Sequence, residues 1–286
     1  MKRFILFFTL LFTVLLIHSL WAQSSLDAAR EAVKNEKWQE AKKILEKIID
    51  QKDKNAEAHF LLGECFLNLK DYDNAIEQYQ KAADLAPKTA FYHFRLGQAL
   101  GMKADHAGKI TQARLAPQIK EAFEKAAELD PTLKRAHIGL ANFYMRAPGF
   151  MGGDLDKSEQ HAKTLIKLGS PDGKILLAKV YIKRDKPDAA LKLYQELDKE
   201  VGDNPKYASF YNDYGYFLLK RKEYDKAIEM FKKQVKLAPK AANSYNSLGD
   251  AYREAGKIEE AKQQYQKALK LDPNFKPSRE KLNDLK

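Results

Sequence analysis

AEAHFLLGECFLNLKDYDNAIEQYQKAADLAP, residues 56–87, is the stretch that decides the fold of this 286-residue chain. Its landmarks are Leu62, Gly63, Phe66, Tyr72, Ala75, Tyr79, Ala82 and Pro87. Residues 242–273, ANSYNSLGDAYREAGKIEEAKQQYQKALKLDP, repeat the order at the same offsets: Leu248, Gly249, Tyr252, Ile258, Ala261, Tyr265, Ala268 and Pro273. A third copy from Ala208 supplies Tyr214, Gly215, Leu218, Tyr224, Ala227, Phe231 and Pro239. Gly63 and Gly97 lie 34 residues apart, as do Gly215 and Gly249. Repetition at such a period marks stacked units, none of which can bury its apolar face alone.

Each copy reads as two antiparallel helices. Leu62 and Phe66 are four apart and share one face of a first helix. Gly63 costs that helix about 1 kcal/mol in propensity, which implies that packing needs it; the expectation is that a neighbouring helix backbone comes close there. Leu69 to Asp73 turns the chain. Ala75, Tyr79 and Ala82 form a small-large-small stripe on the second helix. Pro87 cannot continue that helix and ends the unit. Ala, Leu, Lys, Glu and Gln dominate the composition, and all favour helix.

These landmarks resemble the tetratricopeptide repeat (TPR) family. The resemblance implies an all-α right-handed superhelix, a solenoid of about seven stacked hairpins. Units are placed near 24–55, 56–89, 90–133, 134–170, 171–207, 208–241 and 242–275, with a charged capping helix over 276–286. The first unit keeps Trp38, Ala41, Leu45 and Ile48 and is otherwise degenerate, as terminal repeats commonly are.

Residues 1–22 belong to another regime. Lys2 and Arg3 precede the uncharged run Phe4 to Ile17, and Ala22 offers a small residue for cleavage. That arrangement reads as a secretory signal peptide, with an uncleaved anchor as the alternative. The run is short of the roughly 20 apolar residues that span a bilayer. Export permits disulfides, but Cys65 is the sole cysteine and reads as a buried packing residue, so stability rests on packing. The chain holds 50 Lys and Arg against 39 Asp and Glu, a net +11, or +9 without Lys2 and Arg3. Lys262, Lys267 and Lys270 share a helix with Glu259 and Glu260, mixed signs at helical spacing as on a solvated face. The excess of cations leaves binding to an anionic envelope polymer or lipid open as a competing function. No nucleic-acid motif is present.

Two central units depart from the period. Gly97 and Pro131 are ten residues further apart than Gly63 and Pro87. The extra chain lies within Gly101 to Gln118 and suits a lengthened first helix or a short extra helix. The next unit carries Arg146, Ala147, Pro148, Gly149, Phe150, Met151, Gly152 and Gly153 between its helices. Departures from a repeat map to loops, where function concentrates. Glycines before a helix could present amides to an anion; the strand and lysine of a phosphate loop are missing. The packing alternative folds Phe150 and Met151 over the inserted segment. The run from Phe91 to Leu168, with its Ala-Pro-Gly-x-x-Gly-Gly loop, is similar to a group of exported bacterial TPR proteins, a resemblance that implies origin and architecture and no activity.

His59, His93 and His137 occupy one repeated slot, filled later by Tyr211 and Tyr245, and read as aromatic packing within hairpins rather than as a metal site. No catalytic motif stands out, so the reading is non-enzymatic, with no metal and no cofactor. In the resembled family the first helices line a concave groove. Residues beside the packing slots are then candidates for gripping a peptide or helical segment: Phe94, Gln98, Arg135, Asn142, Arg146, Lys179, Asn212, Tyr216, Asn246, Asp250 and Arg253. Asn can satisfy a peptide backbone, and Arg can bind carboxylates through two hydrogen bonds. Glu57, Phe60 and Glu64 in the second unit argue against the family's carboxylate clamp there, whereas Arg135, Arg146 and Lys179 favour an acidic segment. The expected role is a protein-binding scaffold in the bacterial periplasm.

Overall fold

The computed structural model describes residues 25–51 and 54–285, so the amino-terminal segment and its export reading lie outside the described residues. Helices alternate with tight turns, and no strand occurs among the described residues. In chain order they are α1 (25–34), α2 (Trp38–Gln51), α3 (Ala56–Asn68), α4 (Tyr72–Leu85), α5 (Ala90–Asp105), α6 (Lys109–Leu129), α7 (Lys134–Arg146) and α8 (Leu155–Lys167). There follow α9 (Asp172–Lys183), α10 (Pro187–Val201), α11 (Ala208–Lys220), α12 (Tyr224–Leu237), α13 (Ala242–Glu254), α14 (Ile258–Leu271) and α15 (Lys276–Asn283). Two compact units divide the chain between Val180 and Tyr181, inside α9.

The turns inside the hairpins share one device. Glu36, Lys70, Asp185, Lys222 and Gly256 each take a positive φ between 56° and 74°. The next amide then reaches back five residues to a carbonyl, as from Asp71 to Phe66 and from Lys257 to Tyr252. Such a left-handed closing residue satisfies carbonyls that the helix end leaves over.

The repeated glycines have a purpose that differs from the expected one. Against Gly63, Gly97, Gly215 and Gly249 lies an aromatic ring of the hairpin's second helix, respectively Tyr79, Phe123, Phe231 and Tyr265. A Cβ would stand 2.5–2.8 Å from the ring carbons, inside van der Waals contact. Tyr79, Phe231 and Tyr265 are fully buried in these seats, flanked by buried alanines such as Ala75 and Ala261. The slot therefore seats a ring, not a backbone. Gly173 is the exception, where a Cβ would meet the Ala162 carbonyl oxygen at 2.6 Å and the Ile166 amide at 2.7 Å.

The inserted residues lengthen both helices of the third hairpin. α5 runs to Asp105, and α6 takes most of the added chain, spanning 21 residues with Pro117 inside it. The expectation of a longer first helix or a separate short one is met only in part. Gln112 joins the two ends by donating its Nε2 to the carbonyls of Ala104 (3.1 Å) and Ala107 (3.0 Å); the Ala104 carbonyl also accepts the Ala107 amide.

Candidate interaction site

One slot organises the polar inner side of the first helices: the residue after the ring-seating position. It holds Glu64, Gln98, Asn142, Tyr216 and Asp250. In the first unit the ladder begins with Arg30, which grips Glu57 through Nε (2.7 Å) and Nη2 (2.6 Å). Arg95 grips Glu64 in the same two-pronged way, and its Nη1 donates to Gln98 Oε1 at 2.6 Å. Tyr79 Oη also donates to Glu64, at 2.7 Å. Phe60 stacks on Tyr92 with centroids 4.8 Å apart. Internal partners thus occupy the second hairpin's carboxylates.

Beyond Gln98 the ladder stops and a cavity of about 370 Å³ opens among α5, α6, α7 and the glycine-rich loop. Met102, Ala116, Ile119, Phe123, Phe143 and Met151 give it an apolar wall. Gln98, Gln112 and Asn142 are polar points in the lining, and Asp105 and Arg146 pair across it at 3.0 Å. Two glycines, Gly101 and Gly139, contribute backbone without side chains, and nothing lies within 4 Å of a Cβ built on Gly101. Asn142 turns its Nδ2 onto its own helix, to the Ile138 carbonyl at 3.0 Å. Gln98 Nε2 and Asn142 Oδ1 have no hydrogen-bond partner among the described residues.

The glycine-rich loop spends its amides internally. Met151 and Gly153 donate to the Pro148 carbonyl, Gly152 to Gly149 and Asp154 to Tyr144, all at 2.8–3.0 Å. Gly153 packs so tightly that a Cβ would overlap the Ala147 oxygen at 1.8 Å, and Gly152 holds φ 93°. An anion would find these donors taken. Met151 packs on the inserted segment as the packing alternative expects; Phe150 does not, being 84% exposed.

In the compact unit from Tyr181 onward the same slots close on one another. Tyr216 Oη donates to Asp250 at 2.8 Å, and Tyr265 Oη donates to the other Asp250 oxygen at 2.9 Å. Lys281 on α15 reaches the same carboxylate at 2.7 Å, Ser278 donates to Asn246 at 3.1 Å, and Ser247 donates to Asn212 at 2.8 Å. Burial holds the Tyr216 and Tyr265 hydroxyls above the usual tyrosine range; the Asp250 charge adds to this in both.

Of the residues read as groove-lining, then, Gln98, Asn142 and Arg146 converge on the cavity. Phe94 is corrected: it is core, packed on Phe91 and Phe123. Asn246 and Asp250 are likewise buried, held by α15 rather than open to a ligand. Asn212 and Tyr216 are spent on the internal ladder. Arg135 is exposed on the first turn of α7, Lys179 is half-buried on α9, and Arg253 pairs with Glu254 at 3.4 Å; the cavity lining includes none of them. Gly101, Met102, Phe143 and Met151 line the same cavity without standing in the polar slots. The insertion and the glycines were the available signal.

The histidine slot is a clasp more than an aromatic stack. His93 and His137 donate Nε2–H to the carbonyls of Pro87 (3.0 Å) and Pro131 (2.9 Å), which end the preceding hairpins, and Tyr211 Oη donates to Gly202 at 3.0 Å. The Nδ1 atoms of His137 and His161 lie 3.0 Å apart, within hydrogen-bond distance. His59 lies fully buried, 2.7 Å from Gln78 Oε1. No group of three metal-binding side chains occurs among the described residues. Burial, with help from the Glu64 charge, pushes the Cys65 thiol up to about 12, so it stays protonated at neutral pH.

Hairpins of about 30 residues, four of them seating an aromatic ring on a glycine and three clasped to the one before through His93, His137 or Tyr211, define a helical-repeat protein. The chain is a tetratricopeptide repeat protein: models of the tetratricopeptide repeat match residues 26–90 and 201–274. A TPR protein structure from Parabacteroides merdae superposes with TM-score 0.69 at 14% identity, covering 92% of this chain and 98% of that one. A thermophilic TPR protein from Thermus thermophilus gives TM-score 0.53 at 20% identity, over 69% of this chain and 99% of the other. Tetratricopeptide repeat protein 37 of Xenopus laevis is 29% identical over 46% of this chain. The chain spans only 8% of that relative, and 7% of the mouse Superkiller complex protein 3, also 29% identical over 38% of this chain. Proteins of this fold are generally non-catalytic scaffolds that bind other proteins.

Proposed function

We propose that this chain is a non-catalytic adaptor of the bacterial cell envelope that holds a segment of another protein in the cavity between α5, α6 and α7. The observation that carries the reading is the break in the polar ladder. Everywhere else on the first helices the slot after the ring seat is satisfied internally; at Gln98 and Asn142 one amide N–H and one amide oxygen face an apolar cavity unpartnered. A peptide group needs one acceptor and one donor, and that pair supplies both. The envelope location rests on the basic and apolar residues that open the sequence. Among the described residues no helix is long and apolar enough to cross a membrane.

A photo-crosslinking amino acid at Asn142 tests this in cells, with one at Glu260 on the solvated face of α14 as control. A discrete crosslinked protein at 142 and none at 260 supports the reading. Equal labelling at both positions, or none at 142, overturns it. Osmotic-shock fractionation of the same cells tests the compartment independently, and retention of the chain with cytoplasmic markers defeats the envelope assignment.

A further inference from the structure

The residues that line the cavity restrict what can enter it. Gln112, Ala116, Ile119 and Phe123 recur along α6 at spacings of four, three and four, and so form one stripe that faces it. Phe123 is wedged between two glycines: a Cβ on Gly97 of α5, or on Gly139 of α7, would stand 2.8 Å from its ring. One wall is thus an aromatic face fixed from both sides. Phe143 supplies a second ring, and Met102 and Met151 add unbranched thioethers, which adapt to a guest's outline and make favourable contacts with ring edges. An aromatic guest gains from such neighbours beyond the area it buries. The room suffices, since a cavity of about 150 Å³ holds one benzene and this one measures about 370 Å³.

Charge is cancelled within the lining. Among the described residues only two charged side chains line the cavity, Asp105 and Arg146, and they pair with each other at 3.0 Å. Arg146, one of the three cations that suggest an acidic segment in the sequence, is therefore spent on Asp105. A charged guest side chain would leave water with no uncommitted counter-charge to receive it, and that cost excludes it. Neutral polar groups do find partners: Gln98 Nε2 can donate to a peptide carbonyl, and Asn142 Oδ1 can accept from a peptide N–H.

We infer that the cavity takes an uncharged peptide segment through a single aromatic side chain. The ring lies against Phe123, Phe143, Met102 and Met151, and the peptide groups beside it meet Gln98 and Asn142. This rests on the cavity being a protein-binding site. An alkyl chain would fill the apolar part but leave both amide groups buried without partners, a penalty that the peptide avoids.

N-acetyl-tryptophanamide, a neutral ring with a peptide group on each side, is the smallest such guest. Titrated into the full chain carrying methyl-labelled methionine, it should shift the NMR signals of Met102 and Met151 and leave that of Met230, on α12, in place. The leucine derivative should bind about fivefold more weakly, and the lysine and glutamate derivatives at least about tenfold more weakly. Affinity for the tryptophan derivative should hold within about twofold between about 0.05 M and about 0.5 M salt. Gly101→Leu puts a side chain into the open space beside that backbone and favours helix, so it should fold, which circular dichroism checks, and abolish the shifts. Asn142→Leu should weaken the tryptophan derivative about threefold and leave indole, which has no peptide group, unaffected. A lysine or glutamate derivative that binds as well as tryptophan overturns the uncharged guest, and a leucine derivative that does so overturns the aromatic one. Shifts that survive Gly101→Leu place the probe elsewhere and overturn the inference. Methyl signals that stay in place with every probe also overturn it, while a protein crosslinked at Asn142 in cells would keep the reading beneath it. Octanol binding more tightly than the tryptophan derivative replaces the peptide with an alkyl chain and overturns both.

Discussion

Gln98 on α5 and Asp250 on α13 hold the same place in their repeats, one residue past the glycine that seats an aromatic ring, and their surroundings are opposite. Asp250 is buried and accepts from Tyr216, Tyr265 and Lys281. Gln98 borders a cavity with its Nε2 unengaged. The difference comes from reach. Tyr216 on α11 and Lys281 on α15 are long enough to reach Asp250, whereas the cavity beside Gln98 is lined by Gly101 of the same helix and, from α7, by Gly139 and an Asn142 turned onto its own helix. One scaffold thus makes a sealed wall or an open site according to which side chains occupy a few slots.

The largest expected effect is on the sealed side. Asp250→Ala removes the acceptor of the buried Tyr265 hydroxyl, the partly exposed Tyr216 hydroxyl and an ammonium, and should cost about 3 kcal/mol, in the range for orphaning buried charge-paired groups. Asn142→Ala, which breaks only a half-buried bond to its own helix, should cost less than about 1 kcal/mol. Urea denaturation of both variants checks this. Comparable losses would mean that the cavity wall is as tightly built as the ladder.

Glycine substitutions should separate the two regions by sign. A Cβ on Gly249 stands 2.5 Å from the Tyr265 ring. The ring must move, so Gly249→Ala should destabilise by about 2 kcal/mol even after the better helix propensity of alanine is credited. Gly101→Ala meets nothing within 4 Å and should raise stability by up to about 1 kcal/mol. Thermal melting that moves in the same direction for both would sink the claim that one glycine seats a ring and the other leaves space.

Helix, turn and repeat were legible in the sequence because local physics sets them: Leu62 and Phe66 at helical spacing, Pro87 as a stop, the 34-residue return of Gly63. The cavity was only half legible. Its location showed as the insertion after Gly101 and the glycines after Ala147, yet its walls come from three consecutive helices whose mutual packing no local pattern specifies. Whether a polar slot is free depends on its neighbour one repeat away, which no local pattern reveals. Asn246 and Asp250 looked like surface because the helix that covers them, α15, begins some 26 residues after Asp250. Gly63 announces closeness without naming what comes close, which is why a backbone is expected where the Tyr79 ring sits.

The first unit also holds a titratable junction. Burial, then the neighbouring His137, lowers His161 from 6.5 to about 4, while Tyr144 stacks on its face and Glu124 and Lys157 act on it with opposite signs. Below its ordinary value the unfolded chain takes up a proton that the folded hairpin refuses. The stability is therefore complete above pH 6.5 and is lost as pH falls from there to about 4. The ring is partly exposed, so solvent screening reduces the effect to about 1 kcal/mol. Comparing His161→Gln with the parent by urea denaturation at pH 7.5 and pH 4.5 isolates it: the variant should lose less stability on acidification. Parallel losses would show that the pair does not resist protonation.

The smallest expected effect distinguishes the two ion pairs that face these regions. Arg146 and Asp105 meet at 3.0 Å with side chains 67% and 54% exposed, a geometry in which water and salt screen most of the attraction. Arg146→Ala should therefore change stability by no more than about 0.5 kcal/mol, and roughly half a molar salt should erase even that difference. Lys281 meets a buried carboxylate, so Lys281→Ala should retain most of its cost at the same ionic strength. Measuring both variants in low and high salt compares screening at the two places directly. An Arg146 effect that survives salt as well as that of Lys281 would mean that the cavity mouth is closed by a rigid bridge, and a partner segment would then have to break that bridge before it could enter.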